Sequence, residues 1–73
     1  MPDYKSEDRE KILRYIAARA GQDVPVDDIV REAGADRLRV HPLLFELERE
    51  GCIAVVARRV LGAPAVVRLV KTA

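Results

Sequence analysis

The chain has 73 residues, which is enough for one small domain and leaves no room for a large enclosed substrate pocket. Hydrophobic residues make up 49% of the sequence and charged residues 34%, a composition typical of a folded domain rather than a disordered segment. The formal net charge is +1, so no overall positive field that would attract nucleic acid is expected. Positive charge is nevertheless concentrated late in the chain, because four basic residues and no acidic residue follow Glu50.

Several classes of protein are excluded by residue types that are rare or missing. Cys52 is the single cysteine and His41 the single histidine, so neither an intrachain disulfide nor a metal site is expected. A lone thiol and the lack of an apolar run of ~20 residues favour a cytoplasmic protein with no membrane segment. The sequence has no nucleophile beside a base, no glycine-rich phosphate loop and no carboxylate pair. We therefore expect no enzymatic activity, no cofactor and no small-molecule ligand.

The first half of the chain predicts two helices joined by a short extended segment. The first helix covers residues 6–20, with Ser6 as its N-cap and Gly21 as its stop. Its buried stripe follows from apolar residues at helical spacing, namely Ile12, Leu13, Ile16, Ala17 and Ala20. A short extended link around Val24 leads to Pro25, which is expected to begin a second, short helix that stops at Gly34.

A third helix is predicted to follow at once, with Asp36 as its N-cap and Gly51 as its stop. Its buried stripe consists of Val40, Leu43, Leu44 and Leu47. Pro42 leaves two alternatives open. Either the helix begins after Asp36 and Pro42 kinks it, or the helix begins near Pro42 and residues 36–41 form an irregular arm.

The last part of the chain predicts a β-hairpin over residues 52–70. Two runs rich in β-branched residues, "CIAVVAR" and "AVVRLV", flank a segment that contains the turn formers Gly62 and Pro64. Alternation predicts that one set of side chains packs inward: Ile53, Val55, Val67 and Leu69. The other set is then exposed: Ala54, Val56, Val66 and Val70. An exposed valine face needs cover, which a homodimer or a partner protein would supply.

The segment "IVREAGADRLRVHPLLFELEREGCI" resembles the winged helix-turn-helix superfamily, specifically a small stand-alone winged-helix domain. It matches that pattern of a short helix, a glycine turn and a helix that ends in "LxxLExEGxI". The resemblance implies a mainly α-helical fold with a small β-hairpin, in which three helices accompany a two- or three-stranded wing sheet. It also implies a single domain over residues 1–73, with the helix-turn-helix at about 26–50 and the wing hairpin at about 52–70.

The resemblance implies that the third helix enters the major groove of double-stranded DNA while the wing touches phosphate. Carried over residue by residue, the helix contributes Arg37, Arg39 and His41, and the wing contributes Arg58 and Arg59. Arginine suits both roles, because it pairs with guanine or with phosphate through two parallel hydrogen bonds. The first functional hypothesis is therefore a DNA-binding winged-helix protein, a small dimeric regulator of transcription.

A second hypothesis arises from the exposed side of the third helix. On a helical wheel, the line opposite the buried stripe holds Leu38, Pro42, Phe45 and Arg49. Three of these four side chains are apolar, whereas a DNA reader usually presents polar or basic ones there. An exposed apolar surface often marks a protein contact. The alternative is a winged-helix protein-interaction module without DNA binding, in which this line or the hairpin residues Val56 and Val66 hold the partner.

Overall fold

A computed structural model describes residues 3–71, so residues 1–2 and 72–73 of the predicted domain lie outside the described residues. Three helices are followed by most of a small sheet. In chain order the elements are α1 (Tyr4–Ala17), β1 (Val24–Pro25), α2 (Val26–Glu32), α3 (Arg37–Arg49), β2 (Ile53–Arg58) and β3 (Pro64–Leu69). The strands form one antiparallel sheet in the order β1-β3-β2. This arrangement confirms the coarse prediction of a mainly α-helical fold with a small β-hairpin.

Helix α1 begins and ends earlier than the sequence predicts. Its N-cap is Asp3, whose carboxylate accepts hydrogen bonds from the Ser6 amide and hydroxyl, so the prediction of Ser6 as the N-cap was wrong. Ser6 lies inside the first turn, where it donates to the cap instead of accepting from the helix. These hydrogen bonds lower the pKa of Asp3, that from the Ser6 hydroxyl most of all. The regular helix ends at Ala17, and a turn leads to Gly21 at φ +84°.

Helix α2 begins as predicted, because Pro25 is its N-cap at φ −64°. The two-residue strand β1 immediately precedes it and pairs with β3 through Val24 opposite Val67 and Pro25 opposite Val66. This pairing holds the start of α2 beside the sheet. Gly34 adopts φ +84° and allows the chain to turn directly into α3.

Helix α3 begins at Arg37, with the Asp36 side chain accepting a hydrogen bond from the Leu38 amide. The predicted cap is therefore confirmed, and the alternative of an irregular arm over residues 36–41 was wrong. Pro42 lies inside the helix and has no N–H to offer the carbonyl of Leu38, four residues earlier. The helix continues to Arg49 because its opposite side is fixed in the core by Leu43, Leu44 and Leu47, each at most 1% exposed.

Strands β2 and β3 form the predicted hairpin, with a local irregularity. Val55 lies opposite Val67, but the next partners are Ala57 and Val66, so Val56 has no partner in the ladder. Such a bulge increases the local twist of an edge strand. As predicted, Ile53 and Val67 are buried.

The core lies between the three helices and one face of the sheet. Its buried apolar members come from every helix and strand: Ile12, Ile16, Val24, Val26, Ile29, Val40, Leu43, Leu44, Leu47, Cys52, Ile53 and Val67. Cys52 is buried, as expected for a small hydrophobic residue. Within residues 3–71, no helix has both the length and the apolar character needed to cross a membrane.

Candidate nucleic-acid interface

The exposed surface of α3 has two neighbouring stripes of different chemistry. At about 100° per residue, Arg37, His41 and Glu48 fall within about 40° of one another on the helical wheel. Leu38, Pro42 and Phe45 fall on the adjacent stripe, opposite the buried leucines. We call these the polar stripe (Arg37, His41 and Glu48) and the apolar line (Leu38, Pro42 and Phe45). All three side chains of the apolar line are exposed, and Leu38 is 85% exposed.

Arg39 holds α3 against α1. Its guanidinium Nη1 lies 3.0 Å from Oδ2 of Asp8 and 3.6 Å from Oδ2 of Asp36. Asp8 is a buried charged residue at 5% exposure, and it also accepts a 3.4 Å hydrogen bond from the Asp36 amide. A buried carboxylate needs such a partner, since removal from water is costly for an unpaired charge. Arg39, one of the predicted DNA-binding residues, therefore fixes the start of α3 in the structure.

The two arginines predicted for the wing are also ion-paired. Arg58, at the end of β2, pairs with Glu48 on the polar stripe and donates to the Gly62 carbonyl at 3.1 Å. Arg59 lies 2.9 Å from Asp27 in the first turn of α2. The hairpin loop, residues 59–63, is thereby held beside both α2 and α3. All four of these side chains remain partly exposed, so an incoming phosphate can reach the arginines.

Arg37 and His41 lack such intramolecular partners. Among residues 3–71, neither side chain makes a hydrogen bond or an ion pair. Arg37 is exposed in the first turn of α3, and His41 follows one turn later and is half-buried. Of the predicted basic contacts, these two are the ones that the fold leaves available to a ligand.

The acidic residues of α3 are neutralised by other parts of the chain. Glu46 pairs with Lys5 at 2.8 Å, Glu48 with Arg58, and Glu50 with Arg9 from α1. The hydrogen bond from Lys5 is the main reason why the pKa of the Glu46 carboxyl lies below its usual value. Without partners, these carboxylates would repel the phosphates of DNA. In the structure each one faces a cation, which reduces that repulsion.

Arg49 and Lys71 are further basic residues near the end of α3, and neither is among the predicted DNA contacts. Arg49 is exposed and makes no ion pair within the described part of the chain. The Lys71 side chain lies close to Gly51, with its Cε 3.7 Å from the position of a Cβ at that glycine. The helical wheel places Arg49 on the same exposed line as Leu38, Pro42 and Phe45. Arg37 therefore lies at the start of the polar stripe, and Arg49 follows the apolar line.

The hairpin supplies several other exposed apolar side chains. Val60 and Leu61 are fully exposed in the hairpin loop, and Val56 is half exposed at the bulge. Val66, which the sequence predicts to be exposed, is instead partly buried. Val66 lies in the middle strand of the sheet, between Pro25 of β1 and Ala57 of β2, which alternation within the hairpin does not take into account.

Within residues 3–71, no three His, Cys, Asp or Glu side chains come close enough together to hold a metal ion. Comparisons of the chain with protein-family models, with the sequences of curated proteins and with solved protein structures give no match.

Proposed function

We propose that this chain is a small winged helix-turn-helix domain that binds double-stranded DNA and acts as a regulator of transcription. Helix α3 enters the major groove, and the hairpin loop lies against the phosphate backbone. One observation carries the proposal: the acids of α3 are ion-paired internally, whereas Arg37 and Arg49 at its two ends are not, within residues 3–71. The helix surface is therefore locally basic although the net charge of the chain is only +1.

The residues divide by role in this proposal. Arg37 and His41 approach base edges or phosphate at the start of α3. Arg58 and Arg59 contact phosphate through the N–H groups that they do not use to pair with Glu48 and Asp27, so both carboxylates stay neutralised.

The test is fluorescence anisotropy of a labelled mixed-sequence duplex, titrated at two or more salt concentrations. We expect binding that weakens as salt rises, because phosphate contacts release counterions. Arg37→Ala should lower the slope of log K against log salt by about 0.9 if Arg37 contacts one phosphate. The matched control is Arg14→Ala on α1, which removes the same charge from a side chain outside the proposed interface and should leave the slope within error. Absence of salt-dependent binding by the wild-type protein would refute the proposal.

A second candidate function is a protein-interaction module, favoured by the exposure of the apolar line. Leu38 and Phe45 are 85% and 47% exposed, and the hairpin adds Val56 beside the partly buried Val66. In this case the partner is a second copy of the chain or another protein. Light scattering would then show an assembly that Phe45→Glu disrupts, while the duplex gives no anisotropy change even at low salt. Intact association in Phe45→Glu would exclude the apolar line as the contact.

A further inference from the structure

The apolar line raises a question of specificity that the arginines do not answer. Leu38, Pro42 and Phe45 occupy the part of α3 most directly opposite the core. None of these side chains has a hydrogen-bond donor or acceptor. When the apolar line faces the bases in the major groove, its side chains cannot recognise those bases by hydrogen bonding.

The dimensions of the apolar line match a short stretch of DNA. From Leu38 to Phe45 the helix rises about 10 Å, at ~1.5 Å per residue. This length corresponds to about three base steps at ~3.4 Å each. Arg37 precedes the line and Arg49 follows it, so cations are available to phosphates on either side. This charge pattern favours DNA over an apolar protein surface as the occupant.

One apolar group is available in the major groove of unmodified DNA, the C5-methyl group of thymine. 5-Methylcytosine presents the same methyl group at the same ring position. Leucine and phenylalanine side chains gain by removing such a methyl from water, while they gain nothing from the polar edges of the other bases.

We infer that α3 recognises C5-methyl groups of pyrimidines through Leu38 and Phe45, with thymine as the natural source. This inference rests on the proposed DNA binding and adds a base preference to it. Pro42 lies between Leu38 and Phe45 on the helix surface. Its ring extends the apolar line and has no polar group that could hydrogen-bond to a base. Sites that place thymines at the two contacted positions are then preferred over sites with cytosine or uracil there.

The experiment begins with selection of a preferred site from a random duplex pool. Each thymine of that site is then replaced singly by deoxyuridine, which removes the methyl group and keeps every hydrogen-bonding atom. Binding of wild-type protein should weaken ~4-fold at one or two positions, the effect of exposing one methyl group. The same substitution should have no effect on Leu38→Ala or on Phe45→Ala at the position that each residue contacts. Val70→Ala removes an exposed apolar side chain outside α3 and the hairpin loop, so it is the matched control and should keep the wild-type response.

The outcomes are distinct. Loss of the deoxyuridine effect in one α3 variant but not in Val70→Ala supports the inference. Replacing cytosine by 5-methylcytosine in a thymine-free version of the site should restore binding if the methyl group itself is recognised. Sequence-selective binding with no response to deoxyuridine at any position would overturn the inference and leave DNA binding standing. No binding to any duplex would refute the proposed function itself.

Discussion

Arg39→Ala should reduce the stability of the fold, because this arginine neutralises a buried carboxylate. Asp8 has a side chain only 7% exposed, and the Arg39 side chain is 43% exposed. Exposed ion pairs contribute about 0–1 kcal/mol, whereas breaking a fully buried pair costs about 3–5 kcal/mol. With one partner buried and the other half exposed, we expect Arg39→Ala to lower the free energy of unfolding by about 2 kcal/mol. For a domain of this size that corresponds to a fall in Tm of about 8–16 °C.

The assay is thermal and urea denaturation followed by circular dichroism, in a double-mutant cycle with Asp8→Ala. If Arg39 acts through Asp8, then Arg39→Ala should cost less than about 0.5 kcal/mol once Asp8 is already alanine. The interaction energy of the cycle should account for most of the single-mutant effect. An equal loss in both backgrounds, or an unchanged Tm in the single variant, would show that the ion pair does not stabilise the fold.

Three further predictions follow from particular contacts. Glu48→Gln should raise DNA affinity about threefold to tenfold in the anisotropy assay, because it releases Arg58 and removes one negative charge from the polar stripe. The control Glu46→Gln, on the side of α3 near Lys5, should change the affinity less. Gly34→Ala should lower the free energy of unfolding by about 1 kcal/mol in urea titrations, since φ +84° disfavours a side chain; an unchanged midpoint would contradict this. The pKa values of Asp3 and Glu46 are lowered in the folded state, so the free energy of unfolding should fall as the pH drops below about 4.3. Thermal scans between neutral and acid pH should show a smaller fall for Glu46→Gln than for the wild-type protein.

Local patterns predicted the features of the fold that depend on local geometry. Asp36 caps α3, Pro25 begins α2, and Gly34 turns the chain between them, and each of these follows from preferences that act within a few residues. The same type of reasoning was wrong at Ser6, because Asp3 offers a carboxylate three residues earlier and competes successfully for the cap. Two acceptable caps at neighbouring positions cannot be ranked from spacing alone.

The sequence could not predict which basic side chains of the candidate site are ion-paired, because ion pairing depends on contacts between residues far apart in the chain. Arg39 and Asp8 are 31 positions apart, and Arg59 and Asp27 are 32 apart. No helical or strand period links such residues, so the sequence shows five basic candidates as equivalent. The packing of α1 against α3, and of the hairpin loop beside α2, divides them into three that are ion-paired and two that are not within residues 3–71. The partial burial of Val66 likewise depends on its neighbours in β1 and β2, which alternation does not reveal.

The surface of the protein that contacts DNA can be mapped directly by NMR. A uniformly ¹⁵N-labelled sample would be titrated with a short duplex at low salt and followed by two-dimensional NMR. We predict that the largest amide shifts cluster on the exposed side of α3, from Arg37 to Arg49, and in the hairpin loop. Amides in the middle of α1 should change little. No shift at any duplex concentration, or shifts confined to α1, would contradict the proposal that α3 is the DNA-binding element.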